Sequence, residues 1–69
     1  MTLMRYIRLK RMQTQVFVAE SLSISERGYR AIEKGVNEPR LKTAKELERF
    51  YGKPIEYLLE PYNKPATSA

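Results

Sequence analysis

Cysteine, histidine, aspartate and tryptophan are all missing from this 69-residue chain. Without cysteine there can be no disulfide staple and no thiolate metal site. Without histidine the commonest zinc ligand and the usual general base are gone as well. Long apolar runs are also absent. The longest, Val16 to Ala19, falls far short of the roughly 20 residues that cross a bilayer and of a signal-peptide core. A cytoplasmic protein with no metal, no cofactor and no membrane partner is the expectation.

What is present is short and basic. A chain of this length buries only about 60% of the surface its unfolded form exposes, which leaves room for one thin core and no deep enclosed cavity. Catalysis would have to be assembled from Glu, Lys, Tyr or Ser, and no cluster of them appears, so an enzyme is not expected. The 13 lysines and arginines outnumber the 8 glutamates, for a formal charge of +5. The excess is uneven: residues 1–34 hold 7 basic and 3 acidic side chains, residues 35–69 hold 6 and 5. An anion-binding surface should therefore lie in the first half.

Apolar residues recur at spacings of three and four with no long period-two alternation, which predicts helices throughout. The first, about Leu3 to Arg11, places Leu3, Met4 and Ile7 inward and turns Arg5, Arg8 and Arg11 toward water. Thr14 offers an N-cap for a second helix to about Leu22, with Val18, Ala19 and Leu22 on one face. Ser25 caps a third, with Ile24 packing on Tyr29 as a hydrophobic staple, and Gly35 stops that helix after Lys34. Helix four starts at Leu41, which continues the apolar pattern, or at Thr43, which with Glu46 spells a capping box. It ends at Gly52. Pro54 suits the first position of helix five, whose stripe is Ile55, Leu58 and Leu59. The expected domain is residues 1–60. Residues 61–69, with two prolines and no apolar period, read as a flexible tail.

The informative stretch is QVFVAESLSISERGYRAIEKG, Gln15 to Gly35. Two short helices flank a tight turn, with small Ala19 at their approach and Ile24, Tyr29 and Ile32 beneath. Burying Tyr29 and Ile32 turns Glu26, Arg27, Arg30 and Ala31 outward. A helix of that diameter fits a DNA major groove.

These residues resemble the Cro/phage-repressor (XRE) type helix-turn-helix family. The match takes in Arg5, Ile7 and Arg8, then Thr14-Gln15, Val18-Ala19-Glu20 and Leu22. It continues through Ile24-Ser25, Ile32-Glu33, Gly35, Pro39 and Leu41 to Leu47, Gly52, Ile55 and Leu58-Leu59. The resemblance implies an all-α, compact five-helix lambda-repressor-like DNA-binding domain. It also implies a sequence-specific transcriptional regulator of phage, plasmid or other mobile-element type. Its partner would be a double-stranded DNA operator, read in the major groove by the third helix of a weak homodimer. By position, Ser25, Glu26, Arg27, Gly28 and Ala31 fall on the family's groove-facing sites. Gln15, Arg8, Arg30 and Lys34 fall where backbone phosphates are met.

Side-chain chemistry refines this. Arg27 can donate two hydrogen bonds to guanine, Glu26 can accept from cytosine N4, and Ala31 can touch a thymine methyl. Glu26 and Arg30, four apart, can equally form a surface ion pair. Gly28 either admits close approach of DNA or is a plain helical glycine. Tyr29 is read as a core residue with a polar tip.

Several positions depart from the family pattern: Met12-Gln13 replace a Gly-Leu pair, Ser23 replaces a turn glycine, and Val16 and Phe17 replace polar residues. Phe17 either marks a partner surface or turns into the core, and the core reading is preferred. A protein-binding module, antitoxin-like or a relative without an operator and using Phe17 or helix five, is the competing function.

Overall fold

The computed structural model describes residues 1–62. Among them are five helices: α1 (Leu3–Lys10), α2 (Gln15–Leu22), α3 (Glu26–Lys34), α4 (Leu41–Tyr51) and α5 (Ile55–Leu58). The described residues contain no strand, only an isolated antiparallel bridge between Thr2 and Pro61. No helix among them is long and apolar enough to cross a membrane. The all-α, five-helix expectation holds.

Local chemistry sets most of the boundaries. Thr14 Oγ1 accepts from the Phe17 amide at 3.0 Å and Ser25 Oγ from the Gly28 amide at 3.0 Å, so both side chains satisfy a free N–H of a first turn. At the other ends, Gly35 (φ 85°) and Gly52 (φ 73°) take the left-handed geometry that closes α3 and α4. Helix α4 begins at Leu41 with Arg40 as an N-cap that makes no side-chain bond. The Thr43 capping box is therefore unused. Pro54 lies one position earlier than expected, as the extended N-cap of α5, and Glu48 Oε2 accepts from the Ile55 amide at 2.7 Å to cap that short helix.

Two turns do without glycine. Helix α1 stops one residue early, and Met12 (φ 58°) makes the turn that follows it; Ser23 (φ 59°) closes α2. Left-handed geometry crowds the Cβ of an L-residue, so both positions carry strain.

The core draws on every helix: Met4 from α1, Val18, Ala19 and Leu22 from α2, Tyr29 and Ile32 from α3, Leu47 and Tyr51 from α4, and Leu58 from α5. Ile24 packs on this cluster, as a staple residue should. Arg11 ties α1 to the far end of α4, with Nη1 donating to the Phe50 carbonyl at 3.1 Å and Nη2 to that of Tyr51 at 3.0 Å. A guanidinium there also suits the negative end of the helix dipole.

Three expectations need correction. Phe17 does not enter the core: it is 50% exposed, beside a Met12 that is 91% exposed. It lies opposite the Val18, Ala19 and Leu22 stripe, and with α2 capped at Thr14 no rotation can bring both faces inward. Arg8 does not face water; it is 6% exposed, for reasons given below. Residues 61 and 62, expected to open a flexible tail, are packed on the helices. The Tyr62 amide donates to the Met1 carbonyl at 2.9 Å, and its ring stacks on Tyr6 with centroids 4.7 Å apart. Pro61 and Tyr62 thus belong to the fold, and residues 63–69 lie outside the described residues.

Candidate nucleic-acid interface

Glu33 is the hub around which the site is built. It follows Ile32 on α3, four residues after Tyr29, so the helical step places it on the buried stripe. It is 1% exposed. A carboxylate there is stable only if its lone pairs are filled, and four donors fill them. Arg8 Nε reaches Oε2 at 2.7 Å and Arg8 Nη2 reaches Oε1 at 3.1 Å. Tyr29 OH donates to Oε2 at 2.8 Å and Gln15 Nε2 to Oε1 at 2.8 Å. Tyr29 has a single proton and gives it to Glu33, so the 2.6 Å contact between Tyr29 OH and Tyr51 OH is donated by Tyr51.

The ionisation of these groups follows from this geometry. Burial pushes the Glu33 carboxyl up, but the bonds from Arg8, Tyr29 and Gln15 and the charge of Arg8 outweigh it and hold its pKa below the ordinary glutamate value. The hydrogen bond to Glu33 likewise raises Arg8. Burial raises the phenol pKa of both Tyr29 and Tyr51. At neutral pH the hub is a carboxylate and a guanidinium in a nest of neutral phenols.

This arrangement reassigns Arg8. It also gives Nη1 to the Gln13 carbonyl at 2.8 Å, so each of its three nitrogens already donates within the protein. Expected to face water and meet a phosphate, Arg8 is instead buried and joins α1 to α3 through Glu33. The signal was in the sequence. Met4 and Arg8 stand i, i+4 on one buried stripe, as do Tyr29 and Glu33 on another, and a base and an acid so placed call for each other.

The hub also holds two candidate contacts at the surface. Gln15, at the start of α2, gives Nε2 to Glu33 and accepts at Oε1 from Arg30 Nε at 3.1 Å. Arg30 in turn gives Nη2 to Glu26 Oε2 at 2.5 Å. The surface ion pair considered for Glu26 is thus formed, between side chains that are both substantially exposed. An unbroken chain of hydrogen bonds runs from Glu26 through Arg30 and Gln15 to the buried Glu33.

Beside that chain, a cleft of about 240 Å³ is lined by Met1, Arg5, Gln15, Arg30 and Lys34, with Arg8 and Glu33 contributing to its wall. Gln15, Arg30 and Lys34, all named among the expected phosphate contacts, line this one cleft, and Arg5, which was not among them, lines it too. It stands one helical turn before Arg8 on the exposed face of α1.

The groove-facing candidates lie along α3. Arg27 is exposed and has no hydrogen-bond partner among the described residues. Ser25 uses one lone pair of its hydroxyl on the cap and keeps a second lone pair and a proton to donate. Ala31 is half-buried. A Cβ on Gly28 would stand 3.0 Å from Ser25 Oγ, so the cap by itself accounts for a small residue there. Among the described residues no group of acidic side chains is placed to hold a metal ion.

Comparison with known proteins agrees with this geometry. A helix-turn-helix family profile matches residues 4–58. The chain is similar to the cryptic phage CTXphi transcriptional repressor RstR of Vibrio cholerae, with 38% identity over 55 residues that make up 80% of this chain and 50% of the relative. It thus spans half the length of that curated relative. No solved structure gives a significant match.

Proposed function

The chain belongs to the helix-turn-helix family of Cro/phage-repressor type, and from that premise we propose that it is a sequence-specific double-stranded DNA-binding repressor of phage type, acting in the cytoplasm. Helix α3 enters the major groove. Arg27, Glu26, Ser25 and Ala31 meet base edges, Gly28 lets the backbone approach, and Arg5, Gln15, Arg30 and Lys34 meet phosphates on one side. The observation that carries this reading is the juxtaposition of Arg27, exposed and without a partner among the described residues, on α3 with the cationic cleft that α3 shares with the starts of α1 and α2. Phosphate contacts fix register while base contacts specify, and this surface offers both side by side.

Two copies binding half-sites about one helical turn apart would double that surface. Pairing through α5, where Tyr57 is 40% exposed, is the arrangement proposed. A second reading, a protein partner docking at Met12 and Phe17, is favoured by the exposure of those two apolar side chains on one cleft.

Selection of duplexes from a random pool by the intact chain tests the reading. A recovered motif with two related half-sites, bound with an affinity that falls steeply with salt, is the expected result. Recovery of no motif, with salt-insensitive binding, overturns it.

A further inference from the structure

While Arg30 Nη2 is held by Glu26 Oε2, the carboxylate offsets the charge that Arg30 would bring to a phosphate, and the guanidinium competes with any base donor for Glu26. The two are bound to each other at 2.5 Å on the exposed face of α3, four residues apart, with Arg30 also anchored by its Nε to Gln15. This couples two contacts that are ordinarily separate. We propose that the Glu26–Arg30 pair is a specificity-determining exchange: a cytosine amino group that takes over the Glu26 carboxylate releases Arg30 to a backbone phosphate. The proposal rests on the DNA-binding reading given above and deepens it.

The argument is one of satisfied partners. In the free protein each charge is neutralised by the other. On a duplex presenting an amino donor in the major groove, cytosine N4 being the usual partner of a glutamate, Glu26 exchanges one donor for another and Arg30 exchanges a carboxylate for a phosphate. No charge is stranded. On a duplex lacking that donor two outcomes remain, and both are poor. Either the pair stays closed and Glu26 offsets the charge that would neutralise one phosphate, or Arg30 leaves and Glu26 lies unpaired against an anionic surface. Base identity at one position thereby sets the number of phosphates neutralised.

That number is read directly by salt. Each phosphate contact contributes about 0.9 to the slope of log K against log salt. Arg30 keeps its Nε on Gln15 in the closed state, so the exchange moves only the Nη2 end and needs no helix displacement.

The test uses the intact chain and the duplex recovered by selection, together with variants of that duplex changed one base pair at a time. For the wild-type chain, a change at one C·G pair lowers the slope by about 0.9, and changes at other pairs alter affinity but not slope. Between 50 and 200 mM salt this is about a 3.5-fold difference in how far affinity falls. In Glu26→Ala the slope is the same on both duplexes and as steep as on the selected one, because Arg30 is always free. In Arg30→Ala it is the same on both and shallower. Circular dichroism of each variant verifies that α3 is retained. Equal wild-type slopes on every duplex, or a slope difference that persists in Glu26→Ala, overturn the exchange while leaving DNA binding intact. If selection recovers no duplex, the DNA-binding reading falls, and this proposal with it.

Discussion

Arg8 and Glu33, separated by 25 positions in the chain, meet through two hydrogen bonds of 2.7 and 3.1 Å in the interior. The pair joins α1 to α3 and, through Gln15, orders the start of α2. Removing one partner strands a buried charge, which costs about 3–5 kcal/mol. That is a large part of what a domain of this size possesses. Arg8→Met and Glu33→Leu should each leave the chain largely unfolded or with a much lower urea midpoint. Arg8→Met combined with Glu33→Leu should be more stable than either single change, because no charge is left unpaired. A double variant whose loss equals the sum of the single losses would show that the two do not act as a pair.

Stability should depend on pH at both extremes and hardly at all between. The Glu33 carboxyl is held below its ordinary value of 4.5 in the folded chain, so its contribution is whole above that value and is lost as pH falls through the folded pKa. Tyr29 and Tyr51 are raised above 10.0, so theirs is whole below that value and is lost as pH rises past it. No histidine titrates in the middle. Thermal midpoints measured from about pH 2 to about pH 11 should form a plateau with two falling limbs. Tyr29→Phe should weaken the alkaline limb. A step near neutral pH would contradict this assignment.

Much of the fold was legible because its signals are local. Ser25, Thr14, Gly35 and Gly52 act within one helical turn of themselves, and each closes or opens a helix where the sequence places it. Tyr29 and Ile32 were recognisable as core from helical spacing alone. What was hidden depends on partners far away in the chain. Arg8 reads as one more member of a cationic flank, and its i, i+4 spacing from Met4 becomes decisive only once Glu33, on another helix, faces it. Tyr62 reads as tail because nothing nearby announces its stack on Tyr6. The candidate site divides the same way: the outward face of α3 follows from the helical step, but the commitment of Arg30 to both Gln15 and Glu26 requires the tertiary packing of α2 on α3.

The left-handed Met12 offers a stabilising change. Its side chain is 91% exposed, so Met12→Gly removes almost no packing while relieving a conformation that costs an L-residue about 1–2 kcal/mol. Set against the extra chain entropy of glycine, the net gain should be about 0.5–1 kcal/mol, or several degrees in Tm for a domain this small. A lowered Tm would mean that Met12 makes contacts worth more than its strain.

Base reading and phosphate binding should separate by mutation. Arg27→Ala should cost about 1–3 kcal/mol on the selected duplex and relax preference at one base pair. Lys34→Ala and Arg5→Ala should weaken binding to every sequence alike and lower the salt slope by about 0.9 each. Arg8→Met with Glu33→Leu, if folded, should leave the contribution of Arg5 to that slope in place. Titrations at several salt concentrations on two unrelated duplexes distinguish these classes, and an Arg27→Ala chain with unchanged base discrimination would remove Arg27 from the reading face.

In the complex proposed above, DNA lies along α3 and the cleft beside it. Backbone amide chemical shifts of the labelled intact chain, followed by NMR as the selected duplex is added, test it most directly. The largest changes are expected between Ser25 and Lys34 and at Arg5 and Gln15, with Met12 and Phe17 little affected. Changes confined to the Met12 and Phe17 face, or none at saturating duplex, would contradict it.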